Sequence, residues 1–196
     1  MRICIVSHNI LVPLAEGFEE LEAITLTDTL HRAGCRVVTA SCGESRTLTA
    51  AHGAVMQTQE SLAELVDTDW SLIALPGGMP GAEHLRDSDL LVRLLKRQKE
   101  QHQWIAAICA APALVLAHHD LLGAARATCY PAFLHLLPEQ ARDAGAPCVI
   151  DQQEKIATSQ GPGTALPFAL ELVALLFDRK KAQEVAGDML VSFPAS

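Results

Sequence analysis

The sequence predicts an α/β domain in three layers, a mostly parallel sheet with helices on both faces. Two observations carry this. Short, wholly apolar runs at residues 10–14, 71–75 and 104–108 alternate with longer stretches whose apolar residues recur at helical spacing. Glycine, proline or a polar cap stands at most of the junctions between them.

Taken in order, residues 10–14 form the first strand. Pro13 lacks a ladder donor, which places it at an edge-like position or near the strand end. Residues 1–6 are either a further strand or part of an extension of up to nine residues. Residues 19–33 read as a helix stopped by Gly34, and 35–41 as a β-branched strand. The polar stretch 43–53 turns into a hairpin with 54–57. Residues 61–66 look helical, and 71–75 are a buried strand ending at Pro76-Gly77-Gly78. Asp87 or Ser88 caps a helix carrying Leu90, Leu91, Leu94 and Leu95. Residues 104–108 are another apolar strand, followed by a helix over 110–117. Residues 126–129, 149–150 and 155–158 read as short strands, and 164–177 and 179–190 as helices. No repeat or linker interrupts the pattern, so residues 1–196 read as one domain.

Bulk properties exclude several classes. Hydrophobic residues make up 49% and charged residues 19% of the 196, which suits a packed core. A formal net charge of -8 offers no footprint for nucleic acid or anionic lipid. The longest uncharged apolar run, 104–117, is short of the roughly 20 residues of a membrane span. With no secretory signal, the expectation is a soluble cytoplasmic protein whose six cysteines are reduced thiols. Eight histidines include no HxxxH or HExxH pair, so no metal site is expected.

Three loops at the carboxyl ends of strands hold the chemistry-bearing residues. An apolar strand runs into Cys109 and a helix starts directly after it, which would set the sulfur against N–H groups and favour the thiolate. Such a cysteine is otherwise a small core residue, and spacing does not choose between the two. Pro76-Gly77-Gly78 after a buried strand can bring backbone donors to a reacting oxygen, or simply make a turn. In the acidic helix, Glu22 falls in line with Leu26, Leu30 and Ala33 on an inward stripe. Desolvation there pushes a carboxyl towards its neutral, proton-donating form. Glu19 and Glu20 are explained by the helix dipole alone. Gly161-Pro162-Gly163 either binds an anion or bends the chain into a capped helix.

These pieces occur together and in order: residues 14–22 (LAEGFEELE), 75–78 (LPGG), 107–112 (AICAAP) and 158–164 (TSQGPGT). The combination resembles the ThiJ/PfpI superfamily, in the branch of YajL and the parkinsonism-associated deglycase, over residues 10–191. The resemblance implies a flavodoxin-like sandwich, related to class I glutamine amidotransferases, and a cofactor-free homodimer. It implies that Cys109 is the nucleophile and Glu22 its carboxyl partner, with Gly77, Gly78 and Ala110 lining the oxyanion position. Glu19, Arg32 and Tyr130 would stand in the second shell or near a partner subunit. Tyr130 occupies the place of a histidine in the parkinsonism-associated branch, and Ala110 that of a histidine in hydrolytic relatives. Peptide or amide hydrolysis would therefore lack its base. The implied substrates are reactive dicarbonyls or glycated protein adducts. The competing role is a redox-sensing chaperone, in which peroxide oxidises Cys109 to the sulfinate before other cysteines.

Overall fold

The computed structural model describes residues 8–194. Nine strands and five α-helices follow in the order β1 (Asn9–Leu14), α1 (Glu20–Arg32), β2 (Arg36–Ser41), β3 (Thr47–Thr49), β4 (Val55–Gln57), β5 (Glu60–Ser61), β6 (Leu72–Leu75), α2 (Gly81–Arg86), α3 (Asp89–Glu100), β7 (Trp104–Ile108), β8 (Cys148–Asp151), β9 (Ile156–Ser159), α4 (Ala165–Leu176) and α5 (Arg179–Asp188). The main sheet runs β5-β2-β1-β6-β7-β9-β8, parallel except where β8 pairs antiparallel with β9. β3 and β4 form a separate hairpin, as the turn-rich stretch predicted.

The apolar runs are continuous because the sheet is covered on both faces. Along β7, Trp104, Ala106 and Ile108 face one core with α1, α4 and α5, while Ile105 and Ala107 face the other with α3. Strands β1 and β6 alternate in the same way, Ile10 and Val12 against Leu11, Leu72 and Ala74 against Ile73. This is the three-layer, flavodoxin-like sandwich. Pro13 pairs with Ala40 of β2 but lies beyond the last residue of β1 registered with β6, Leu11 opposite Ile73. Its missing donor falls at the strand end.

Helix α1, which carries the acidic residues, is fixed at both ends by its sequence. Glu19 caps it, its side chain accepting the Glu22 N–H at 2.6 Å. Gly34, at φ +96°, closes it: its N–H donates to the His31 carbonyl and that of Cys35 to the Leu30 carbonyl, a Schellman pair.

Three predicted elements changed and one helix was added. Residues 126–129 are not a strand; the Ala127 N–H donates to Ala141 and that of Thr128 to the Thr158 hydroxyl, leaving one isolated bridge, Ala127 to Arg142. The turn at Leu62–Leu65 is 3₁₀, and Pro112–Ala117 winds as a π-helical segment. Helix α2 was not anticipated. Residues 1–7, with the proposed extra strand or extension, lie outside the described residues.

Candidate active site

Parallel β6 and β7 end side by side, with Leu75 in register with Ala107, so the loops after them meet. Cys109 follows the last residue of β7 and holds φ at +63°, a left-handed conformation costly for a residue with a side chain. Its main chain is pinned on both sides. The Cys109 N–H donates to the Ser159 carbonyl at 3.0 Å, and its carbonyl accepts the Tyr130 N–H at 2.7 Å. The result is an elbow that holds the half-buried sulfur out of the sheet.

The N–H groups of Gly78 and Ala110 act on the sulfur in the direction that favours its ionised form. Gly77 makes this approach feasible: a Cβ there would stand 2.6 Å from the Cys109 Cβ and 3.1 Å from its sulfur. Gly78 adopts φ +94° and presses against the loop before α1, where a Cβ would meet the Gly17 carbonyl oxygen at 2.6 Å. Both glycines are thus required by close backbone approach.

Glu22 is fully buried on the inward stripe of α1, beside the buried Leu26 and Leu30. Its Oε2 accepts the Gly77 N–H at 2.7 Å, while Oε1 is buried with no hydrogen-bond partner. A buried carboxylate oxygen without a donor favours the protonated form. Burial accordingly raises the Glu22 carboxyl to about 7, with the Glu19 charge adding and the Gly77 N–H and Cys109 thiol opposing.

The cysteine corrects a prediction. A thiolate favoured by the helix N-terminus was expected, yet burial, and then the Glu22 charge, push the Cys109 thiol up to about 12. The N–H groups of Gly78 and Ala110 act in the expected direction but are outweighed. The interaction of the thiol with the Glu22 carboxyl raises it further. The pair therefore rests with its proton mainly on sulfur, beside a carboxyl half-ionised near neutrality. That is a base next to a latent nucleophile.

The other predicted residues are distributed around this centre. Glu19 is buried as the α1 cap and acts on Glu22 through its charge. Tyr130 is tied by its N–H to the Cys109 carbonyl, its ring exposed. Arg32 does not join the site within one chain: it pairs with Asp28 at 2.7 Å, at the far end of α1, half-exposed. At Gly161-Pro162-Gly163 the bend alternative prevails: Pro162–Thr164 is a 3₁₀ turn closed by the Gly161 N–H on the Thr164 hydroxyl at 3.1 Å, and Thr164 does not cap α4. Sequence reading missed His52, whose Nδ1 lies 3.2 Å from Glu20 and 3.8 Å from Glu19. These three are the only group of metal-ligating side chains brought together among the described residues, and a search for short histidine spacings could not find it. A cavity of about 420 Å³ over the ends of β1 and β2, lined by Glu16, Cys42, His84 and Ser88, excludes Cys109.

Fold and site together define a flavodoxin-like protein organised around a cysteine elbow and a buried acid. The DJ-1/PfpI family profile matches residues 8–175, and the chain belongs to that family. The chain is 38% identical to the DJ-1 homolog B of Arabidopsis thaliana across 94% of its own length, but spans only 42% of that relative. It is 35% identical to dj-1beta of Drosophila melanogaster over 95% of this chain and 99% of that one. The glutathione-independent glyoxalase DJR-1.2 of Caenorhabditis elegans is 32% identical, with 91% and 93% covered. Among solved structures, oxidized DJ-1 of Toxoplasma gondii superposes with a TM-score of 0.92 at 38% identity, covering 95% and 100%.

Proposed function

We propose that the protein is a cofactor-free enzyme converting 2-oxoaldehydes, free or as early adducts on proteins, into 2-hydroxy acids. The observation carrying this is the buried Glu22 carboxyl, raised to about 7 and interacting with the Cys109 thiol, where the Gly78 and Ala110 N–H groups also act. The Glu22 carboxylate takes the thiol proton as sulfur bonds to the aldehyde carbon. The carbonyl π electrons move to oxygen, which the Gly78 and Ala110 N–H groups stabilise. That oxygen takes up the proton from Glu22, giving a hemithioacetal. Glu22 then removes the hydrogen from the former aldehyde carbon, giving an enediol, and returns it to the adjacent carbon while the hydroxyl proton passes from the former aldehyde oxygen to the neighbouring oxygen, leaving a 2-hydroxy thioester. Water cleaves the thioester to the 2-hydroxy acid and frees the Cys109 thiol. One free 2-oxoaldehyde and one water give one 2-hydroxy acid, an adduct in addition releasing its protein amine or thiol, with no external oxidant or reductant. The relative named as a glutathione-independent glyoxalase supports this reading.

The test is methylglyoxal consumption by the purified protein, with product followed by NMR. Cys109→Ala should reduce turnover to background, while Cys42→Ala and Cys148→Ala should keep most of it. Equal activity in the Cys109 variant would falsify the assignment. A second reading, a redox sensor without turnover, draws on the relative described as oxidized and on donors that would equally hold a sulfinate oxygen. Peptide mass spectrometry after graded peroxide tests it: the sensor role requires Cys109 to be the first cysteine oxidised. A dimeric, cytosolic protein fits either reading.

A further inference from the structure

We infer that Thr158 and Thr164 are positioning residues for the nucleophile, their hydroxyls fixing the two peptide groups that hold Cys109 in its elbow. The effect on turnover rests on the dicarbonyl reading above; the effect on the thiol does not. A cysteine in the left-handed region persists only where its surroundings over-determine it. Here one clamp is the Ser159 carbonyl, which takes the Cys109 N–H at 3.0 Å. The other is the Tyr130 N–H, which meets the Cys109 carbonyl at 2.7 Å. Both lead back to the end of β9, where Ser159 stands opposite Ile108, the residue before the nucleophile. Neither threonine is among the groups acting on the sulfur, which are Gly78, Ala110 and Glu22.

Consecutive strand residues face opposite sides, so Thr158 and Ser159 serve one clamp each. The fully buried Thr158 hydroxyl accepts the Thr128 N–H at 2.9 Å. The segment around Thr128 has no ladder of its own, only the bridge from Ala127 to Arg142. The Thr158 hydroxyl therefore locates residues 128–130 against the sheet, and with them the Tyr130 N–H on the Cys109 carbonyl. On the other side, the buried Ser159 hydroxyl donates to the Pro147 carbonyl at 2.8 Å and meets the Thr164 hydroxyl at 2.7 Å. With the Ser159 proton given to Pro147, Thr164 is the donor to Ser159, and it accepts the Gly161 N–H at 3.1 Å in turn. This chain of donors braces the end of β9, and the Ser159 carbonyl so held is the one that takes the Cys109 N–H. Loosening either clamp lets the elbow rotate and carries the sulfur away from the Gly78 and Ala110 N–H groups and from Glu22.

The experiment labels wild type, Thr158→Val, Thr164→Val, Thr158→Ser and Thr164→Ser with iodoacetamide at pH 8. Peptide mass spectrometry follows Cys109 and, as a reporter of opening, the buried Cys35. Valine keeps the shape of threonine and lacks the hydroxyl. Each valine variant should label Cys109 at least about threefold more slowly, part of what one hydrogen bond to a charged sulfur contributes. Cys35 labelling should not change, and serine should restore the Cys109 rate. In parallel, kcat for methylglyoxal should fall at least about tenfold in the valine variants, as expected of a misplaced reacting group, with KM within about twofold. A merely structural role would instead speed the labelling of both cysteines as the fold opens more often. That result, an unchanged Cys109 rate in the valine variants, or serine variants as slow as valine each overturns the inference. The two valine variants act on separate clamps, so one that fails to fold leaves the other to decide. Wild type inert towards methylglyoxal overturns the dicarbonyl reading, while slowed Cys109 labelling still supports the positioning; turnover with unchanged kcat and labelling overturns the positioning alone.

Discussion

At the scale of single residues, the costly feature is a titratable carboxyl with no exposure. Glu22 ionises near 4.5 when unfolded and near 7 in the fold. Between those values the folded chain holds a proton that the unfolded chain has lost, so stability falls as pH rises through that window. The full cost above pH 7 is on the order of 3 kcal/mol. Glu22→Gln should therefore melt higher than wild type at pH 8 and differ little at pH 4, which thermal unfolding at the two pH values checks. The same titration shapes the rate. Because the carboxylate is the base, kcat/KM for methylglyoxal should climb through about pH 7 and level off above it, and Glu22→Gln should lose both the limb and most of the activity. A limb that persists in Glu22→Gln would assign the base to another group. Glu22 was legible in the sequence because it interrupts an apolar stripe at helical spacing. The state of Cys109 was not: the helix N-terminus is visible in a sequence, but the burial and the neighbouring charge that outweigh it belong to the folded chain.

At the scale of elements, the site consists of three chain reversals meeting beyond the sheet. The strands were readable because β1, β6 and β7 are buried on both faces and so are apolar throughout. Residues 126–129 misled for a related reason. Residues 127–129 are buried and β-prone, but the donors of Ala127 and Thr128 are taken by Ala141 and Thr158, and burial without a free neighbouring strand gives no ladder. Helix α2 spans only six residues, too few for a period to emerge. The Gly77 loop yields a sharp prediction. A methyl at Gly77 would stand 2.6 Å from the Cys109 Cβ, so the two loops must part. Gly77→Ala should reduce kcat/KM at least about tenfold, the sensitivity of a reacting geometry to small displacement. It should leave the fold intact by circular dichroism. Activity within a factor of two of wild type would mean that the sulfur is not held by this approach.

At the scale of the whole molecule, one face is unfinished. Leu21 and Ile24 on α1 are 51% and 52% exposed, large apolar residues on the very helix that supplies Glu22. Ile24 follows Leu21 at i+3, and Asp28 and Arg32 follow Ile24 at i+4 steps, so the four share one stripe along the outside of the helix. Its apolar end lies near the acid and its ion pair at the far end. Leaving two such side chains in water forgoes about 1 kcal/mol each, a modest amount that a symmetric contact doubles by using every group twice. The stripe also gives a structural setting to Arg32, which has no role in the site of its own chain. The prediction is a homodimer that meets along this face. Light scattering at micromolar concentration should return twice the 21.0 kDa of one chain, and Leu21→Glu with Ile24→Glu should return a monomer of unchanged circular dichroism. A wild-type mass of one chain would remove the dimer. A dimer that survives the double substitution would move the contact to another face and leave Arg32 as a surface partner of Asp28.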